Sequence, residues 1–355
     1  MPFLSKGSFQ KTFLVRKCFT VLFLLTTLIS FSQPDSADYY LQKGLLEKQN
    51  GRRLESLKQF EKAIKYDSSN KSVLNELAST YVDLRRHDKA IETYKKLVAA
   101  GEGTAANYKQ LLELSFTYNQ KDDVLLYAGK LKEADPSQKV NYYVGRIHYE
   151  SDNYGEAIRV LNEAAKEDPV NAEVPYMIAH CYADMENYKQ AIGYFQQAIQ
   201  LDTTKPYWVY EMGLLYFAIN DDKNALKYIL QAGEKGLKKD NGYTENLGNA
   251  YLNAGHFEEG VNIMKDVLKR KPSDISVLNT LAEAHYYKGK YQEAIDYWDK
   301  ILEYDKQNAS ALYMIGMSFQ KKGEKAKGQQ LCDKAIEIDP SLGKLKTAKQ
   351  LPGGL

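Results

Sequence analysis

The 355-residue chain contains only 9 prolines and has 28 tyrosines as its outlier, a composition that fits one helical array better than a pair of mixed globular domains. A formal charge of +2 gives no field of the kind that captures nucleic acid, so no nucleic-acid partner is expected.

The first element in chain order is an N-terminal leader. Lys6, Lys11, Arg16 and Lys17 stand among residues 1–32 without an acid; taking these four charges from +2 leaves the rest of the chain at −2. An apolar run over residues 18–31 follows, closing on the small-x-small step Ser30, Phe31, Ser32. Basic, apolar and cleavage regions in that order make residues 1–32 a signal peptide, expected to be removed on export to the periplasm or the cell exterior. The run is about 14 residues, against the ~20 that span a bilayer as a helix. No stable membrane span is therefore expected after cleavage; retention as an N-terminal signal anchor is the lesser alternative.

After a short linker over 33–38, one pattern fills residues 39–340. A small or apolar residue recurs at Gly44, Ala78, Leu112, Gly145, Ala179, Gly213, Gly248, Ala282 and Gly316, at intervals of 33 to 35 residues. Twelve residues after each comes a second such position, from Ser56 and Ala90 through Ala191 to Ala294 and Gly328. Around Ala191, Phe195 and Ala198 fall at i+4 and i+7, on one helical face that needs a partner helix. A glycine between the two positions, as at Gly255 and Gly289, supplies a turn. Pro136, Pro169, Pro272 and Pro340 close four of the repeats.

Each repeat thus reads as two helices packed through small residues. The third departs most, with Leu112, Ser115, Val124 and Ala128. Residues 99–103 and 233–236 carry the glycines at which a bend is expected. Residues 341–355 should form a short covering helix through Leu342 and Leu345, then a frayed tail.

The pattern resembles the tetratricopeptide repeat. Residues 207–272 carry the likeness well, with Met212, Gly213, Tyr216, Ala225, Ala232, Leu247, Gly248, Tyr251, Phe257 and Pro272 in the places that the family uses. The resemblance implies an all-α, right-handed superhelical solenoid of about nine helix-turn-helix repeats, with the first helices lining a concave groove.

Repeats leave no room for a catalytic domain, and the five histidines lack metal-ligand spacing. No enzyme activity, catalytic residue, metal or cofactor is expected. Cys181 and Cys332 lie in repeats too far apart for a disulfide and should be buried free thiols.

Function is then expected from binding. On the first helices, positions three before, one after and four after the marker face the groove. In the fourth to sixth repeats these include Tyr142, Arg146, Tyr149, Tyr176, His180, Tyr210, Leu214 and Phe217, with Tyr207 one turn before Tyr210. These nine are the candidate site. Tyrosines provide rigid contact area, and a guanidinium can fork onto a carboxylate or carbonyl. The expected partner is a protein or extended peptide held to support complex assembly. The alternative is an accessory module of the cell envelope whose tyrosines stack on a glycan or lipid. Outside the middle repeats the same positions turn polar, at Ser72, Asn75, Ser79, Glu245, Asn249 and Glu283.

Overall fold

A helix with small residues along one face gains little from standing alone; its free energy comes from the helix that closes on it. In the computed structural model, which describes residues 36–346, eighteen α-helices meet this need, and no strand occurs among the described residues. The first helices of the nine repeats are α1 (Ala37–Gln49), α3 (Lys71–Asp83), α5 (Ala105–Thr117), α7 (Asn141–Tyr149), α9 (Glu173–Asp184), α11 (Pro206–Ala218), α13 (Asn241–Asn253), α15 (Ile275–Tyr287) and α17 (Ala309–Lys321). The second helices are α2 (Arg53–Tyr66), α4 (His87–Ala99), α6 (Lys121–Ala134), α8 (Tyr154–Glu167), α10 (Tyr188–Leu201), α12 (Asp222–Glu234), α14 (Phe257–Arg270), α16 (Tyr291–Tyr304) and α18 (Lys325–Ile338). This is an all-α helical-repeat fold of the solenoid class. The expected signal peptide lies outside the described residues, and α1 begins at Ala37 with Ser36 as its cap, inside the expected linker.

The helices divide into two compact units, Met1–Ile147 and His148–Leu355. The division falls within α7 and not at either glycine-bearing junction. Inside each unit the helices pack in sequence order, pair upon pair.

Both marker series are buried throughout. In the ninth repeat the two backbones themselves meet: a Cβ on Gly316 would stand 2.7 Å from the Gly328 carbonyl oxygen and 2.7 Å from Cys332 Sγ, and one on Gly328 2.5 Å from the Gly316 carbonyl oxygen. The larger knobs four residues beyond the second marker, Phe60, Phe195, Ile229, Met264 and Trp298 among them, are fully buried. They pack above the small contacts and fill the space between repeats.

One device recurs at every turn. The residue seven after the first marker adopts positive φ in all nine repeats: Gly51, Arg85, Asn119, Asp152, Glu186, Asn220, Gly255, Gly289 and Gly323. The following amide then bonds back into the helix, as Asn187 N–H does to the Tyr182 carbonyl at 2.8 Å. Only the glycine versions of this turn were evident in the sequence. Several first helices also share an N-terminal cap; Asn70, Asp240, Asp274 and Asn308 each accept from the amide three residues on.

At the C-terminus, where a short covering helix is expected, a 3₁₀ segment, Pro340–Lys346, buries Leu342 on the last repeat. The expected frayed tail lies outside the described residues. Cys181 and Cys332 are buried thiols outside any disulfide, as expected. Burial, with Asp184 nearby, pushes the Cys181 thiol up to about 12. No helix among the described residues is long and apolar enough to cross a membrane.

Candidate functional site

In the C-terminal unit the candidate residues are positioned by α9 and α11. Helix α9 buries Val174, Met177, Ile178 and Cys181, which leaves Tyr176 and His180, one turn apart, on the open side. Helix α11 starts at Pro206, whose fixed φ suits a first helical position, and is apolar apart from one charged residue, Glu211. With Trp208, Val209, Met212 and Tyr216 buried inward, Glu211 shares the other side with Tyr207, Tyr210 and Leu214.

These side chains meet ring to ring. Tyr176 stacks on Trp208 with centroids 4.5 Å apart and planes at 20°, and meets His180 edge-on at 4.6 Å. Phe195 supports both from α10. Tyr149, the last residue of α7, reaches His180 at 6.3 Å. Further along, Tyr207 and Tyr210 are 6.2 Å apart, and Tyr210 lies 5.9 Å from Tyr243 of α13. Leu214 and Phe217 are half-buried against Leu226, Ile229 and Tyr243, and so serve packing as well as surface.

The hydroxyls are committed to neighbouring first helices. Tyr149 donates to Asp184 Oδ2 at 2.8 Å and Tyr176 donates to Glu211 Oε2 at 2.9 Å; Asn246 Nδ2 donates to the Tyr210 hydroxyl at 2.7 Å. Burial, reinforced by the carboxylate it bonds, raises the Tyr149 and Tyr176 pKa values well above the ordinary phenol range. The charge of Glu211 is the first cause of a rise at Tyr207, which is 52% exposed. All three phenols therefore remain neutral donors at physiological pH. His180 Nε2 is buried without a hydrogen bond, 3.5 Å from Glu211 Oε1. That contact satisfies an ion-pair distance but not hydrogen-bond geometry.

The other two candidates belong to the N-terminal unit. Arg146 places its guanidinium 5.6 Å over Phe116, whose ring also meets Tyr142 at 6.3 Å and Tyr143 at 4.9 Å. The structure thus joins Tyr142 to Arg146 through Phe116 in one unit. It gathers Tyr149, Tyr176 and His180 with Tyr207 and Tyr210 in the other.

One expectation is overturned: Glu283 is not part of the polar stretch of groove surface expected outside the middle repeats. It is 5% exposed, accepts from Asn279 Nδ2 at 2.8 Å, and burial pushes its carboxyl up to about 7. The α-helical phase that aimed it outward did not account for the turn-adjacent packing of α15, where His285 is buried as well, both ring nitrogens without partners. Sequence reading also missed Glu211, Trp208, Phe195, Asp184 and Asn246. Glu211 had a usable signal as the lone charge in α11.

Two recesses lie elsewhere. One of about 370 Å³ is lined by Lys71, Asn75, Glu102 and Asn107 in the N-terminal unit. Another, about 360 Å³, is formed by turn residues Asn220, Asp222, Asn253, Phe257, Tyr287 and Lys288 in the C-terminal unit. None of the nine candidate residues lines either one.

The tetratricopeptide repeat models match residues 41–105, 245–274, 275–308 and 309–342, and the model for anaphase-promoting complex, cyclosome, subunit 3 matches residues 117–198. The chain belongs to the tetratricopeptide repeat family. No curated protein matches it. Among solved structures it is similar to YrrB, described as a tetratricopeptide repeat protein with an unusual peptide-binding site, at 19% identity over 53% of this chain and 98% of that one, with a TM-score of 0.42. It is similar to MamA at 20% identity over 48% of this chain and 93% of that one, TM-score 0.42. A third likeness is to a chain of the anaphase-promoting complex hetero-tetramer Cut9-Hcn1, at 18% identity, TM-score 0.40; it covers 84% of this chain and 62% of that chain.

Proposed function

We propose that this tetratricopeptide repeat protein is an exported, non-catalytic scaffold that holds an extended segment of a protein partner along the first helices of its C-terminal unit. The observation that carries the reading is two runs of ring contacts on consecutive first helices, one from Tyr149 through His180 and Tyr176 to Trp208, the other from Tyr207 through Tyr210 to Tyr243. Rings held by their neighbours lose little entropy on binding, so their contact area converts efficiently into affinity. An extended polypeptide suits a surface on which such side chains repeat along consecutive helices. A glycan would call on tyrosine hydroxyls as hydrogen-bond partners. At Tyr149, Tyr176 and Tyr210 those groups are already bonded within the protein, which favours the polypeptide.

The test is binding of a peptide array to the full chain, with Tyr176→Ala plus Tyr210→Ala as the groove variant. Because Tyr176 also stacks on Trp208, Tyr207→Ala is included as an exposed change that leaves this packing in place. Loss of binding in both variants with unchanged helical content supports the groove; retained binding in both removes it. Export is tested by N-terminal sequencing of the protein recovered from the cell envelope and medium, where a start at residue 33 is expected.

A further inference from the structure

The four first helices α9, α11, α13 and α15 carry Glu173, Asp184, Glu211, Glu245 and Glu283 but no lysine or arginine. The chain as a whole has 48 basic against 46 acidic residues. Each of the second helices between and after them, α10, α12, α14 and α16, bears lysine. Positive charge is thus kept from one helix row and not from the other.

The acids in this row are not equivalent. Glu283 is buried, Asp184 accepts the Tyr149 hydroxyl, and Glu173 lies 3.7 Å from Lys205. Glu211 differs from them. Its side chain is only 16% exposed, yet it takes one hydrogen bond, from Tyr176; its other oxygen stands 3.5 Å from His180 Nε2 outside hydrogen-bond geometry, and it has no lysine or arginine partner among the described residues. A carboxylate can accept about four bonds, and removing its charge from water without a cation is costly. Tyr207, half exposed beside it, already feels its field.

The chain shows next to this point how a cation would be held. Lys205 Nζ stands 5.3 Å over the Trp208 ring, with the Glu173 carboxylate at 3.7 Å, so a ring face and an acid share one ammonium. Trp208's stacking partner Tyr176 bonds Glu211, which brings together rings and an acid with no such cation.

We propose that the segment held here is cationic: an extended stretch of polypeptide bearing lysine or arginine, selected chiefly by Glu211. The inference rests on the groove reading above and adds the chemistry of the occupant. Charge complementarity commits the site to a basic chain and against acidic tails and anionic headgroups.

Fluorescence anisotropy of the full chain with synthetic peptides of one length tests it, the peptides carrying lysine and arginine, no charge, or glutamate. The expected order is cationic, uncharged, anionic, with the cationic advantage lost as salt rises. Glu211→Gln, nearly isosteric, should weaken the cationic peptides about tenfold and leave the uncharged ones unchanged, as fits loss of one charge-assisted bond. Glu303→Gln, on the exposed side of α16, should change neither. Equal binding of cationic and uncharged peptides, both lost in Tyr207→Ala, would leave the groove standing and overturn the charge assignment. Equal weakening by Glu303→Gln would also overturn it, since the effect would then be diffuse. If peptides of every charge fail to bind, or bind undiminished to the tyrosine variants, the groove reading itself falls.

Discussion

Glu283→Gln should stabilise the eighth repeat at neutral and alkaline pH and leave it unchanged in acid. In the folded chain the Glu283 carboxyl is pushed from 4.5 to about 7, first by burial and against a smaller opposing effect of the Asn279 hydrogen bond. Between those two pH values the folded state holds a proton that the unfolded chain has released, so stability falls as pH rises through the window and is level above it. At 1.36 kcal/mol per pH unit the cost reaches about 3 kcal/mol by pH 8. Gln keeps the size and cannot ionise. Repeat arrays open locally, so the readout is amide hydrogen exchange of α15 and α16, compared between parent and variant at each pH to cancel intrinsic rates. Equal protection in acid and up to about 3 kcal/mol more protection in the variant at pH 8 is the expected result. A difference that does not move with pH would mean that Glu283 does not titrate in this range. A parent more protected than the variant at pH 8 would mean that the carboxylate has a counter-charge, and the burial argument would fail.

Glu186→Gly should stabilise the fold by about 0.5 to 1 kcal/mol, read as a higher denaturation midpoint, because its φ of 58° is a left-handed conformation that costs an L side chain more than glycine loses in entropy. The same substitution type, reversed, should have opposite signs at two helix sites. Gly193→Ala meets nothing within 4 Å and should stabilise by up to about 1 kcal/mol. Gly316→Ala must displace the Gly328 carbonyl and should destabilise by roughly 1 to 3 kcal/mol, both read by thermal melts followed by circular dichroism. Cys181 and Cys332 should resist a thiol-specific disulfide reagent in the native protein and react fully in denaturant, since both are buried away from the reagent and burial keeps the Cys181 thiol protonated. Rapid native labelling would show that these repeats open readily.

The fold was legible because it is copied. A small residue at Ala179 or Ala191 says little alone, but the same pair twelve apart through nine repeats leaves one packing solution, and both series are buried. The positive-φ turns were legible only where glycine marked them; Arg85 and Glu186 give no sign of their backbone, because the Schellman-like turn is imposed by the pairing of two helices. Glu283 was misjudged for a related reason. Its phase on α15 is that of an outward position, and only the neighbouring repeat decides that it is covered.

The partners of the tyrosines follow from the same geometry once the stacking is known. Tyr149 bonds Asp184 and Tyr176 bonds Glu211, each 35 residues on, while Tyr210 is bonded by Asn246 at 36. The displacement is one repeat plus one or two residues, the offset at which successive first helices lie side by side. The two later pairs join the position three before one marker to the position two before the next, a place where the repeat pattern imposes no residue type. In the sixth, seventh and eighth repeats that second place is held by Glu211, Asn246 and Thr280. A carboxylate, an amide and a hydroxyl thus stand in equivalent positions, and only the first can attract a cation. Because packing does not dictate this choice, Glu211 is where the chain can set the charge of what it holds without altering how it folds.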